Sequence, residues 1–223
     1  MYFLAIDTAT NSGGVALSRN SEVIGVVMCK TPMRYSDKLI EYTHFLLTQL
    51  EVGIQEVDCF IVATGPGSFT GLRIGIATAK GFCMSHGKPA IGVTTLEALA
   101  WRFRWVSKRI GPMIDARRQQ IYGALYERGD RGLSAVQAGT VKTPAEWLKG
   151  LPAERCAYVG DAAQMYSQTV AALQPKGEVL ATDNCILNEL CELGYLRFTR
   201  GESCSGADLE ADYIRPSDAE IGK

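Results

Sequence analysis

Histidine is almost missing from this sequence: only His44 and His86 occur in 223 residues, far apart along the chain. Most imidazole-rich metal sites are excluded by that count alone. An excess of one charge is also lacking, since Lys+Arg 23 against Asp+Glu 24 leaves a net charge of -1. A stand-alone nucleic-acid binder usually carries a basic surplus, so the balance argues against that class. The seven cysteines contain no C-x-x-C pair and are odd in number, so neither a zinc knuckle nor a fully paired disulfide framework follows. Several sit in apolar surroundings, as in Asp58-Cys59-Phe60-Ile61 and Phe82-Cys83-Met84, where a free thiol behaves as a small hydrophobe. This usage suits a reducing compartment and a cytosolic protein. Long hydrophobic runs are absent: none approaches the ~20 residues that span a bilayer, so no membrane segment is read. The first residues, Met1-Tyr2-Phe3-Leu4-Ala5-Ile6-Asp7, have no basic leader and do not read as a signal peptide. What is present is ample apolar material, 47% hydrophobic against 21% charged, enough for a real core in one large domain or two small lobes.

The opening third reads as a β-meander: Phe3 to Ala9, a Thr-Asn-Ser-Gly-Gly turn at 10–14, Val15 to Leu17, and Val23 to Cys29. After Pro32, Ser36 is placed to cap a helix whose Leu39, Tyr42/Thr43, Leu46 and Leu50 recur at helical spacing and which ends near Gly53. A buried strand at Cys59 to Ala63 runs into Gly65-Pro66-Gly67-Ser68-Phe69-Thr70-Gly71-Leu72-Arg73-Ile74-Gly75, then a helix to about Ser85. A short strand at Ala90 to Val93 and a helix from Thr95 follow, so the class is α/β. Near Gly111 the pattern restarts: Ile6-Asp7 with Ala16-Leu17 aligns without a gap on Ile114-Asp115 with Ala124-Leu125. Duplication and chance agreement of two hairpins both account for so short a match. Beyond it the sequence predicts a strand at Val136 to Val141, a helix after Thr143-Pro144, a strand at Ala157 to Val159, and helices at about 162–173 and 185–199.

The segment from Gly65 to Gly75 has the placement of a phosphate loop, strand then Gly-rich turn then helix. Walker A chemistry fails because Gly71 is followed by Leu72-Arg73, and the dinucleotide fingerprint fails because Thr70 stands where its third Gly belongs. Two readings remain: Gly65, Gly67, Ser68, Thr70 and Arg73 hold an anion, or Gly71 and Gly75 allow a close backbone approach on one helix face. Asp7-Thr8-Ala9-Thr10 at the end of the first strand is likewise either a Mg²⁺–phosphate contact through Asp7, Thr8 and Thr10 or a turn in which Asp7 satisfies local amides. The second position, Asp115-Ala116-Arg117-Arg118, lacks the glycine and hydroxyls of a phosphate clamp. Gly201-Glu202-Ser203-Cys204-Ser205-Gly206 is no nucleophile elbow, since its central residue is Cys. Trp101-Arg102-Phe103-Arg104-Trp105 with Lys108-Arg109 mixes aromatics and positive charge, as either an RNA contact or an amphipathic snorkelling helix at the lobe junction.

Taken together, Ile6-Asp7-Thr8-Ala9-Thr10, the Gly65–Gly75 segment, Ile91-Gly92-Val93-Thr94-Thr95-Leu96, Ile114-Asp115-Ala116-Arg117 and Tyr213-Ile214-Arg215-Pro216 resemble the bacterial TsaB (YeaZ) family over nearly the whole chain. The resemblance implies a two-lobed actin/hexokinase-like (ASKHA) fold without catalytic residues or enzyme activity of its own. It implies partnership with the catalytic subunit TsaD and the ATPase TsaE in installing N6-threonylcarbamoyl on adenosine 37 of tRNAs that read ANN codons. The H-x-x-x-H metal segment of the catalytic relatives cannot be made from His44 and His86. By the same resemblance, residues 1–107 form the first lobe and 108–223 the second, with a soft boundary and a C-terminal helix that can return to the first lobe. The helices at about Ser36–Leu50 and Thr70–Ser85 then form the face that meets TsaD, or a second copy when the partner is absent. Leu39, Gly71, Leu72, Gly75 and Ala79 are its expected contacts. Tyr35 stands ahead of the first helix where many members carry His. No metal or cofactor is expected for the isolated chain, ATP or ADP is left to the level of the complex, and tRNA is met mainly through the complex. The alternative is an ATP-dependent phosphotransferase or ATPase built on Asp7 and Asp115; a peptidase has no nucleophile and base to support it.

Overall fold

The apolar run Tyr2–Asp7 forms β1 in the computed structural model, which describes residues 1–30, 35–130 and 132–215. In chain order β2 (Gly14–Arg19), β3 (Glu22–Met28), α1 (Tyr35–Gln49), β4 (Val57–Gly65), α2 (Phe69–His86), β5 (Ala90–Thr94) and α3 (Thr95–Arg102) follow. Then come β6 (Arg109–Asp115), β7 (Ile121–Gly129), β8 (Gly132–Lys142), α4 (Pro144–Lys149), β9 (Cys156–Val159), α5 (Asp161–Met165), α6 (Ser167–Leu173), β10 (Gly177–Leu180) and α7 (Leu187–Thr199). The side chains of Tyr35 and Ser36, and Pro216, lie outside the described residues.

The chain divides into two units, one of Met1–Thr95 with Cys185–Asp212 and one of Leu96–Asn184 with the residues from Tyr213 onward. The changeover falls within α3 rather than after residue 107, because Leu96 and Leu99 side chains lie beside Gly139 and Gly160 of the second unit. Helix α7 returns to the first unit.

Each unit holds one five-stranded sheet, ordered β3-β2-β1-β4-β5 in the first and β8-β7-β6-β9-β10 in the second. The pairings correspond as well: a meander of antiparallel strands, then two parallel neighbours. This shared topology favours duplication, but the ungapped alignment does not follow the strand register. Ile6 pairs with Val15, whereas Ile114 pairs with Tyr122, so the second hairpin is one residue shorter.

Strands buried on both faces need apolar residues at successive positions, and β1 meets that demand from Phe3 to Ile6 and β4 from Cys59 to Ala63. Leu4, Ile6, Phe60 and Val62 pack with Leu39 and Leu46 of α1 and Ile76 and Ala79 of α2. On the opposite side Phe3 meets the rings of Tyr195 and Phe198 of α7 edge-on at 5.6 and 5.2 Å. In the second unit the centre is Trp147 of α4, 1% exposed. Gly111 and Gly123 on adjacent strands leave room for its indole, and a β-carbon at Gly123 would stand 2.7 Å from it. Thr143 starts α4 with a reciprocal capping box to Glu146 and Pro144 in its first turn.

Candidate functional site

The loops at 7–10 and 65–71, each a candidate phosphate cradle by sequence, lie against one another in the first unit. Ser68 N donates to Ala9 O at 2.9 Å, and Thr8 Oγ1 donates to Gly71 O at 2.6 Å. A β-carbon at Gly71 would stand 1.9 Å from Thr8 O, one at Gly75 2.3 Å from Thr8 Oγ1, and one at Gly67 2.4 Å from Ala9 O. These glycines let the first turns of α2 lie directly on the end of β1. Asp7 accepts from Ala9 N at 2.8 Å and from Thr10 Oγ1 at 2.6 Å, while Thr10 Oγ1 accepts from Ser12 N. Ser68 caps α2 by accepting from Gly71 N. Burial pushes the Asp7 carboxyl up from its ordinary 3.8 to about 6, and the hydrogen bonds from Thr10 and Ala9 offset only part of that. The polar groups of the two loops are thus largely engaged, within the 7–12 turn and across to 68–71. Gly65, with φ 119, turns the chain next to Asp212. Thr70 and Arg73 are exposed, the Arg73 guanidinium 4.0 Å over the Phe69 ring.

Leu39, Gly71, Leu72, Gly75 and Ala79, the contacts expected for a partner, all face the interior of the first unit. The four on α2 belong to the face, with Ile76 and Cys83, that this helix buries, and Leu39 is buried on α1. The outer stripe of α2 runs Thr70, Arg73, Ala77, Gly81 and Met84. A β-carbon at Gly81 would meet nothing within 4 Å. On α1, beside α2, Ile40 and Phe45 are 54% and 56% exposed, and Met84 on α2 is 78% exposed. Exposed apolar side chains on α1 and an open glycine on α2 thus occur on two neighbouring helices. The signal was in the sequence: Ala77 and Gly81 are four apart, on the side opposite Leu72, Ile76, Ala79 and Cys83.

The corresponding turn of the second unit is built differently. Asp115 accepts from Arg117 N at 2.8 Å and pairs with the Arg117 guanidinium at 3.2 Å, so that charge is already engaged. Arg117, Arg118 and Gln119 are all left-handed, with φ 60, 52 and 60, a conformation that is costly for side chains with a β-carbon. Arg215 holds this turn, donating to Ala116 O at 2.8 Å and also to Gln120 Oε1. Arg215→Ala should therefore lower stability by about 2 kcal/mol in urea titration, with faster amide exchange at 116–120. Exchange there equal to the wild type would show that the turn holds itself.

Nucleophilic chemistry finds little support. Burial pushes the thiols of Cys59, Cys156 and Cys191 up to about 12 and that of Cys83 to about 11, the behaviour of inert core cysteines. His44 is exposed on α1, and His86 ends α2. Among the described residues no group of three or more His, Cys, Asp or Glu could hold a metal ion, and no helix is long and apolar enough to cross a membrane.

The family model described as TsaD, tRNA N6-adenosine threonylcarbamoyltransferase, matches residues 15–191. The tRNA threonylcarbamoyladenosine biosynthesis protein TsaB of Bacillus subtilis is 32% identical, over 99% of this chain and 96% of that protein. This chain belongs to the TsaB (YeaZ) family. A solved TsaB-family structure, YeaZ from Pseudomonas aeruginosa, superposes with TM-score 0.80 at 24% identity, covering 95% of this chain and 99% of that one. Beyond the TsaB family, a Bacteroides thetaiotaomicron protein with an actin-like ATPase fold and unknown function gives TM-score 0.50 at 10% identity, covering 87% and 95% of the two chains. That likeness is one of fold, and the α/β two-lobed actin/hexokinase-like fold implied by the TsaB resemblance is the fold found here.

Proposed function

We propose that this chain takes part in tRNA threonylcarbamoyladenosine biosynthesis as a non-catalytic subunit. It docks a TsaD-type catalytic partner through the outer faces of α1 and α2, and a second copy of itself when that partner is absent. With the ATPase TsaE, the assembly serves adenosine 37 of tRNAs reading ANN codons. The observation that carries this reading is Gly81: a glycine in mid-helix lowers stability by roughly 1 kcal/mol relative to alanine, and open space surrounds it. It is flanked on the same stripe by Ala77 and Met84, with exposed Phe45 and Ile40 on the neighbouring helix. A glycine at such a position suits close approach by another backbone. Leu39, Gly71, Leu72, Gly75 and Ala79 contribute by fixing where the two helices lie. The engaged polar groups of the 7–10 and 65–71 loops speak against phosphotransfer by Asp7.

Gly81→Arg and Phe45→Glu should each weaken the complex with TsaD by about tenfold or more, as expected when a central contact is removed. Neither variant should lower the melting temperature, and Gly81→Arg should raise it slightly because the mid-helix glycine is removed. Co-elution with TsaD at wild-type affinity would overturn the assignment of this face.

A further inference from the structure

One motif of the second unit is not absorbed by a docking subunit, the cationic aromatic run after α3. Trp105 is 73% exposed and Val106 beside it 53%, a large indole left in water where such groups are usually covered. Its surroundings are ordered rather than loose. The Arg104 guanidinium lies 4.3 Å above the Trp101 ring and 5.5 Å from that of Trp105. Arg128, arriving from β7, places its own guanidinium 5.5 Å from the Trp105 ring. Backbone contacts fix both arginines: Arg104 Nη1 donates to Trp101 O at 2.8 Å, and Arg128 Nη1 to Arg104 O at 3.1 Å. Lys108, its side chain 71% exposed, pairs with Glu127 at 2.9 Å. Arg109 is held by Glu127 and Glu154 at 2.8 Å each, and Arg102 by Asp183 at 3.4 Å. The cations farther from the indole are therefore matched to carboxylates, whereas Arg128 beside it is oriented by a ring and a carbonyl oxygen.

We propose that Trp105, with Arg128 beside it, is a stacking platform for an unpaired nucleotide of RNA, the indole taking the base and the Arg128 guanidinium its phosphate. An exposed aromatic face accepts any base, and an arginine beside it supplies charge to the backbone. A duplex keeps its bases stacked within the helix, so the surface selects single-stranded or loop RNA. The proposal rests on the reading of this chain as part of a tRNA-modifying assembly and adds a direct contact through the second unit. The net charge of -1 confines that contact to a local patch.

The test uses the full chain, alone and in complex with TsaD, and a fluorescently labelled anticodon stem-loop. Trp105→Ala should weaken stem-loop binding about tenfold, the scale of one lost base stack, while Trp105→Phe retains most of it. Arg128→Gln should reduce the salt dependence of binding by about one phosphate contact. Duplex RNA without a loop should bind more weakly than the stem-loop. Wild-type affinity in Trp105→Ala, or no stem-loop binding by the wild-type chain or its complex, overturns the proposal. If Trp105→Ala instead weakens TsaD binding and leaves RNA binding intact, the patch is a protein contact and the RNA assignment falls. Loss of RNA binding in Trp105→Ala with TsaD binding unaffected by Gly81→Arg would uphold this surface while overturning the docking face.

Discussion

Gly71→Ala is expected to destabilise this chain by about 3 kcal/mol, even though alanine is the better helix former by roughly 1 kcal/mol. The reversal follows from the contact under α2. The added β-carbon would stand 1.9 Å from the backbone oxygen of Thr8, and a backbone atom cannot swing aside as the end of a flexible side chain can. Relief requires lifting the first turn of α2 off the end of β1. That movement breaks the Thr8 Oγ1 to Gly71 O hydrogen bond and the Ser68 N to Ala9 O hydrogen bond. In a chain of this size the loss corresponds to a fall of about 6–12 °C in melting temperature. Gly81→Ala is the matched control, because the same atom added on the outer face meets open space. It should raise stability by up to about 1 kcal/mol. Two alanine substitutions in one helix should thus differ in sign. Equal melting temperatures for Gly71→Ala and the wild type would show that α2 does not rest on β1 through this glycine.

The second large effect belongs to Asp7 and is read as a slope against pH. Its folded-state value of about 6 lies above the ordinary 3.8 because burial penalises the carboxylate. A raised value means that the native state holds its proton more tightly than the unfolded chain does. The stability this contributes is fully present below about pH 4 and is lost as pH rises through 6. At 1.36 kcal/mol per unit, the loss over that window is about 3 kcal/mol. Asp7→Asn cannot titrate, so its unfolding free energy should lack this decline. Two other carboxylates act in the opposite sense and at lower pH. Glu127 is held below its ordinary 4.5 by hydrogen bonds from Lys108 and Arg109, and Glu146 by Thr143. Their contributions are lost as pH falls from the ordinary value through their lowered ones, and they are common to the wild type and Asp7→Asn. Urea titrations of both proteins from pH 4 to pH 7.5 give the comparison, and parallel curves would place the Asp7 titration elsewhere.

Much of the architecture was legible because periodicity reports burial directly. The meander, β4, a helix over about Thr70–Ser85 and the Thr143-Pro144 start of α4 all follow from apolar patterning and local hydrogen bonding. Short elements carried less signal. Gly177–Leu180 forms an edge strand of four residues, and the helix expected at 162–173 breaks at Tyr166 with neither glycine nor proline to mark it. At the site the difficulty lay with glycine, which has no side chain to declare a face. Gly71/Gly75 and Ala77/Gly81 have the same spacing, and only the neighbouring apolar residues tell inward from outward. The 7–10 and 65–71 loops could be named as separate features, but their mutual hydrogen bonding needs β1 and β4 to be adjacent and parallel, a pairing of residues more than fifty positions apart. Of the cationic aromatic run, the composition was visible; which arginines meet the indoles and which meet carboxylates depends on β7 lying beside residues 101–109.

The return of α7 to the first unit has a consequence for synthesis. Chains emerge from the ribosome N-terminus first, so Met1–Thr95 appears before Leu96–Asn184 and must wait through all of it for Cys185–Asp212. During that interval Phe3, which will later meet Tyr195 and Phe198, and Ile61, which will lie under Gly194, have no helix over them. The opposite face of the same sheet is already covered by α1 and α2. The first sheet is thus the first to be made, yet one of its faces stays bare while every strand of the second is synthesised.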